Sequence, residues 1–286
     1  MTAWGRIGYN KPMLQWADKL GQHVLGRIDA FGDFCFFCGR SLAWLVDPQA
    51  LRWRNFRLLF PQLYLIGTLS IPVVVITGLF VGMVLAVQTV MQFKAIGREG
   101  AMGSIVILSV LRELGPVLAG VMLAGRVGGG LAAELGTMRV TEQIDALRAM
   151  GSDPLRVLVV PRFLACVMLI PVLTVYSDFM GILGGYSISV YFYGVSSAQF
   201  WSAGAATVMS FDLFYGPLKS LFFGAAISLI CCYKGFNCRP GAAGVGQACT
   251  EAFVSSAMVI IVLDFFLGAV LNTIWGMLYG VAKVYI

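Results

Sequence analysis

Apolar positions fall in five long blocks along the 286-residue chain, with polar positions gathered between them. From Leu58 to Phe93 no charged residue occurs, and those 36 residues would extend about 54 Å as a straight helix, against a hydrocarbon core of about 30 Å. That segment must tilt, bend or begin in the interface, and Pro72 is its natural kink point. A second block runs from Ala101 to Gly125 with Arg112 and Glu113 at its centre. A third follows Pro161 and Arg162 and reaches Tyr193, with Asp178 inside. A fourth, Leu213 to Tyr233, contains Lys219, and a fifth, Gln247 to Gly280, contains Asp264. The pattern predicts an all-α polytopic membrane protein of five transmembrane helices.

Residues 1–57 are mixed in character and form a separate N-terminal cytoplasmic or interfacial region, ahead of a five-span domain at 58–286. No apolar h-region with a small-residue cleavage site opens the chain, so no signal peptide is expected. Phe31 to Val46 is aromatic, interrupted by Asp33 and Arg40, and too short to span. It reads as an amphipathic helix lying in the interface, or as an ordinary packed surface helix. Between the second and third spans, Thr137 to Met150 has helical period, with Val140, Ile144, Leu147 and Met150 on one face and Glu142, Asp145 and Arg148 elsewhere. Gly151 and Pro154 end it. Such a helix presses its apolar face either into a groove of a soluble partner or onto the protein's own core.

Composition agrees with the pattern: 59% of residues are hydrophobic, 12% are charged, and the mean hydropathy is +0.84. A soluble domain carries about 25% charge, so soluble and disordered classes are both excluded. The net charge of +6 points to basic loops on a bilayer rather than to nucleic acid. Fifteen Lys and Arg fall in the N-terminal region and the loops after the second and fourth spans, and three (Lys94, Arg98, Lys283) fall on the other side. The positive-inside rule then places the N-terminus in the cytoplasm and the C-terminus outside, with Trp201 and Trp275 near the outer interface. Glycines four apart (Gly78 and Gly82, Gly181 and Gly185, Gly276 and Gly280) suit close helix packing.

Away from the block ends, five ionisable residues lie within the apolar blocks: Arg112, Glu113, Asp178, Lys219 and Asp264. A lone charge at the bilayer centre costs about 2.5–3.5 kcal/mol, so such residues pair or face a wet cavity. Glu113 with Lys219 is the favoured pair, serving either as a static link between helices or in substrate passage. Asp178 is expected near the outer interface. The one histidine, His23, makes histidine catalysis or a multi-histidine metal site unexpected. Cys35 and Cys38 have CxxC spacing without a second cluster, so inert thiols are favoured over a metal or redox site. The glycines from Gly125 to Gly130 lack the Gly-Lys-Ser/Thr ending of a phosphate loop and read as close helix packing. No GxSxG or HExxH occurs. No cofactor and no catalytic residue are expected in this chain.

The ordered set Leu111 to Pro116, Ala124 to Arg126, Ala133-Glu134, Met138-Arg139, Thr141 to Gln143 and Asp153 to Arg156 resembles the MlaE/YrbE permeases, the membrane subunits of lipid-transporting ABC systems that work with MCE-domain proteins. The similarity extends from about Gln62 to Phe266, including Gly78 to Leu85, Leu218 to Ser220 and Leu263 to Phe265. It implies a homodimer of five-span subunits enclosing a lipid cavity, with an N-terminal interfacial helix, and a bacterial cytoplasmic membrane as the default location. It implies two cytoplasmic ATPase subunits, which bind ATP and Mg and are gripped through Thr141, Glu142, Gln143, Ile144, Asp145, Leu147 and Arg148. An MCE assembly is implied on the outer face. Residues matching Arg112, Glu113, Lys219 and Asp264 belong to the family's functional region. Arg112 and Lys219 would then attract a phosphate headgroup, and Glu113 would keep those bases paired when the cavity is empty. The competing reading is an ion-gradient-driven secondary transporter using Glu113, Asp178 and Asp264 as proton carriers. A membrane-embedded lipid-modifying enzyme finds no nucleophile or metal cluster to support it.

Overall fold

The computed structural model describes residues 11–46, 53–95, 97 and 102–279. Arg6, Arg52, Arg98, Gly280 and Lys283, which entered the charge and glycine patterns, lie outside them. Among the described residues every regular element is helical. Helix α1 spans Lys11–Val46, α2 Trp53–Gly67 and α3 Ile71–Ala95. A 3₁₀ turn at Thr68–Ser70 joins α2 to α3 immediately before Pro72, which is where a ring without an N–H disturbs the helical ladder. The division expected at residue 57 therefore falls inside α2. The predicted helix at Phe31–Val46 is the end of a longer one.

Five helical stretches are long and apolar enough to cross a membrane: Leu58–Ala95, Met102–Val140, Leu155–Phe192, Ser210–Phe236 and Ala242–Met277. The third and fourth are the most buried, and the first and fifth present most of their apolar surface outward. Phe80 and Val84 on α3 are exposed, as are Met258, Ile261 and Phe265 on the last helix. A water-soluble bundle would hide such side chains; a bilayer covers them instead.

The second span passes beyond its predicted end at Gly125. It consists of α4 (Met102–Ser109), α5 (Gly115–Leu123) and α6 (Gly129–Val140), joined by π-helical segments at Val110–Leu114 and Ala124–Gly128. Leu131, Ala132 and Leu135 of α6 are buried, and this packing carries the helix on through the glycines from Gly125 to Gly130. At 39 residues the rod would be about 58 Å long, so it extends well past a core of about 30 Å. Helix α7 is Gln143–Ala149, α8 Val160–Ser187, α9 Ser197–Thr207, α10 Ser210–Phe236 and α11 Ala242–Tyr279. Further π segments, Leu155–Val159 and Ile188–Phe192, flank α8. Helix α9 lacks a counterpart in the sequence reading; it packs on α4 through Phe200, whose side chain is fully buried.

Helices α3 and α8 cross closely at glycines. A Cβ at Gly82 would run into the Gly181 carbonyl, so the backbones meet only because neither position has a side chain. Gly276, by contrast, has open space around its Cα and takes no part in such a crossing. At the end of the bundle rich in Arg and Lys, here the basic end, buried Arg162 of α8 pairs with Glu134 of α6 at 2.7 Å and donates to the Leu158 carbonyl. This link ties the second span to the third.

Candidate functional site

The site begins with a backbone defect. Within the π segment, the Gly115 N–H donates to the Val110 carbonyl five residues back. The next residue, Pro116, has no N–H, so the Arg112 carbonyl lacks its α-helical partner. Lys219 Nζ from α10 supplies one at 3.3 Å. The same ammonium donates to Glu113 Oε2 and to Asp264 Oδ1, both at 2.8 Å, and lies 4.8 Å from the Tyr215 ring centroid. Three spans thus converge on one cation whose side chain is completely buried. Gly268 borders this meeting: a Cβ there would stand in ordinary van der Waals contact with Lys219 Nζ, the Tyr215 hydroxyl and Glu113 Oε1.

Arg112 takes a different partner from the one expected. Its Nε donates to Asp212 Oδ1 at 2.7 Å and a terminal nitrogen approaches the same oxygen at 2.6 Å. Glu113 therefore holds only one of the two bases. Asp212 is buried, and its Oδ2 accepts the Met209 N–H at the start of α10, so one carboxylate caps the helix and fixes the guanidinium. The guanidinium also lies 5.7 Å from the Tyr215 ring and 5.4 Å from that of Trp275. Trp275 is buried, with its ring beside this arginine. Asp212 and Tyr215 escaped the sequence reading, as did the contact of Trp275 with Arg112. An acid in the first turn after Ser210 is a helix-start signal that marks Asp212; no comparable pattern marks the two rings.

Asp178 also sits deeper than expected. It is buried on α8, and its Oδ1 occupies the place a Cβ at Gly115 would need, with no hydrogen-bond partner among the described residues. It belongs to the layer of the π segment but stands apart from Lys219 and Arg112.

The charges are unevenly open. Lys219 and Asp212 are closed off, Asp264 is nearly so, and Glu113 leaves 48% of its side chain exposed. Glu113 is eleven residues into the second span from Met102, about 16 Å at the helical rise, which is close to halfway through a core of about 30 Å. A carboxylate that open at that depth needs a polar neighbour or water in front of it.

The predicted 137–150 helix is two elements. Thr137 to Val140 complete α6, and the chain turns at Thr141 and Glu142. Glu142 has φ of 59°, the left-handed region, and is the one such non-glycine among the described residues. The Thr141 N–H and hydroxyl both donate to the Thr137 carbonyl. Helix α7 then carries Gln143, Ile144, Asp145, Leu147 and Arg148. Ile144 is fully buried among Leu135, Leu155, Val159 and Phe236, with Leu147 packed against that cluster. The apolar face thus rests on the protein's own core, and Val140 and Met150 are left exposed. What α7 offers outward is Glu142, Gln143, Asp145 and Arg148. Asp145 bridges Arg139 at 2.8 Å and Arg148 at 3.1 Å.

The fold and site define an α-helical membrane protein with a charged cluster within its spans and a short helix at its basic end. The family model for Permease MlaE matches residues 59–270, and the chain belongs to that permease family. It is 36% identical over 260 residues to the intermembrane phospholipid transport system permease protein MlaE of Haemophilus influenzae, covering 91% of this chain and 98% of that one. It is 38% identical over 253 residues to a probable ABC transporter permease protein of Rickettsia bellii, covering 88% and 96%. The chloroplastic protein trigalactosyldiacylglycerol 1 of Arabidopsis thaliana is 36% identical over 219 residues, covering 77% of this chain and 62% of the plant protein.

Proposed function

We propose that this permease is the membrane subunit of an ATP-driven phospholipid transporter. Two copies enclose a lipid cavity, separate ATPase subunits dock at the basic end, and an MCE-domain protein receives or delivers lipid at the opposite end. The observation that carries the reading is the half-open Glu113 at mid-span. A second copy facing it across a wet cavity gives that carboxylate the polar surroundings a hydrocarbon core denies. The names of the relatives supply the cargo class and the ATPase. The charge asymmetry puts the basic end in the cytoplasm, consistent with a bacterial inner membrane.

The cluster would act on lipid as follows. Lys219 and Arg112 are cations held at the cavity wall by carboxylates, which keep them compensated while no phosphate is present. A phosphate headgroup competes with Glu113, the most open partner, and the acyl chains lie against the apolar walls. ATP binding and hydrolysis occur in the partner. Its closure pushes α7 through the exposed residues at 141–143, 145 and 148. Because Ile144 is embedded beside Leu135 and Val159, α7 moves α6 and the start of α8 with it. The displacement reaches Arg112 and Glu113 along one rod whose π segments are places where helical register is easily changed.

The test is lipid transfer by the transporter purified with its native partners in proteoliposomes. Transfer is expected to require MgATP and to be lost in Lys219→Met while the ATPase still co-purifies. Transfer at full rate without nucleotide, driven by an ion gradient, would overturn the proposal.

A further inference from the structure

A cavity of about 590 Å³ opens at the basic end, between α1, the turn that follows α7, and the last turn of α10. It is separate from the mid-span cluster and shares no residue with it. Its walls carry three guanidinium groups, Arg40, Arg139 and Arg148, and two carboxylates, Asp33 and Asp153. Asp153 is already well occupied: it accepts from Arg40 at 2.8 Å, from Trp44 Nε1 at 3.1 Å and from the Leu155 N–H at 3.0 Å. Those three bonds fix the wall and use one N–H of Arg40, which has five to give. Arg40 remains about half exposed. The wall is therefore built, and its three guanidinium groups are balanced by Asp153, by the Asp145 that pairs with Arg139 and Arg148, and by Asp33 on the α1 side, so it suits a zwitterionic headgroup rather than a net anion.

The mouth is apolar on one side. Phe36 lines the cavity and is 71% exposed, and it continues a face of α1 on which Leu25, Ile28 and Phe31 are also exposed. With α1 lying in the interface, that face rests in the acyl region. A ligand that fits carries a phosphate for the guanidinium groups, hydrocarbon for the Phe31 and Phe36 side, and room for a cationic group near Asp33.

We propose that this cavity binds the headgroup of a phospholipid from the leaflet at the basic end, with phosphate on Arg40 and its neighbours, an ethanolamine amine on Asp33, and chains along Phe31 and Phe36. Arg139 and Arg148 both hold Asp145 of α7, so the bound lipid borders the helix proposed to meet the ATPase. The inference rests on α1 lying at the membrane, and not on the mid-span cavity.

The experiment places a photoreactive benzoylphenylalanine at Phe36 in the complete transporter, in nanodiscs of phosphatidylethanolamine and phosphatidylglycerol, one radiolabelled at a time. Capture of phosphatidylethanolamine is expected. It should fall about tenfold in Arg40→Gln, the scale of a lost charge-assisted hydrogen bond. Asp33→Asn should shift capture toward phosphatidylglycerol. Capture insensitive to both Arg40→Gln and Asp33→Asn would mean bulk bilayer only and would overturn the site, as would capture of the ATPase polypeptide in place of lipid. Loss of transport without loss of capture bears on the proposed function alone.

Discussion

Ion pairs of the same residue types occur at two depths of this molecule. At the basic end, Arg40 with Asp153, Arg148 with Asp145 and Lys234 with Glu251 have at least one partner substantially open to solvent. At mid-span, Lys219 meets Glu113 and Asp264 with none of its own side chain exposed. The distances barely differ, 2.8 to 3.1 Å throughout. Surroundings, not geometry, decide what each pair is worth. Exposed pairs contribute about 0–1 kcal/mol. Removing one member of a buried pair costs about 3–5 kcal/mol, because its partner's charge stays behind. Apart from the buried Arg162, which Glu134 matches, charge at the basic end is free to serve recognition, whereas charge at mid-span has to be matched.

The strongest way to break this contrast is Lys219→Met. It leaves Glu113 and Asp264 uncompensated, and a loss of about 3–5 kcal/mol should show as a lower Tm in detergent. Adding Asp264→Asn should restore part of the loss; a single variant as stable as the parent would contradict the matching of charge. Next in size is a pair of changes on α7. Ile144→Asp puts a carboxylate into a fully packed pocket and should cost several kcal/mol, about 2–5. Arg148→Glu should change stability by less than about 1 kcal/mol but weaken co-purification of the ATPase. The reverse ranking would mean that the apolar face of α7 is the docking face.

Smaller still is Glu142→Gly, which relieves a left-handed backbone and should move stability by no more than about 1 kcal/mol. A large loss would show that the Glu142 side chain itself holds the turn. The mildest probe is Cys38 on α1. Burial, with a lesser push from Cys35, raises its thiol to about 11. It is therefore protonated at neutral pH, and maleimide labelling should rise about tenfold per pH unit toward that value, since the thiolate is the nucleophile. A rate that levels off near pH 9 would show α1 to be more open than its packing indicates.

Much of this was legible in the chain. Apolar blocks nearly free of charge marked the spans, because a bilayer tolerates little else, and a lone Lys219 in one block called for an acid from another. The Glu113 partner of Lys219 came from that reasoning; the Asp212 partner of Arg112 did not, because Asp212 lies just outside the apolar block that begins at Leu213. The π segment at Val110–Leu114 was hidden because its cause is a joint one: Pro116 removes an N–H, and only the neighbouring α10 shows what satisfies the freed carbonyl. The orientation of α7 was likewise ambiguous. An apolar stripe looks the same whether it faces a partner or its own core, and only the burial of Ile144 separates the two.

The most direct test of the central claim is photocrosslinking from position 113 itself, with benzoylphenylalanine replacing Glu113 in the nanodisc-embedded transporter and radiolabelled phospholipid in the bilayer. A lipid cavity at mid-span gives strong capture that changes when MgATP is added. Capture of no lipid, or the same level with and without MgATP, would contradict a nucleotide-driven lipid path through these residues.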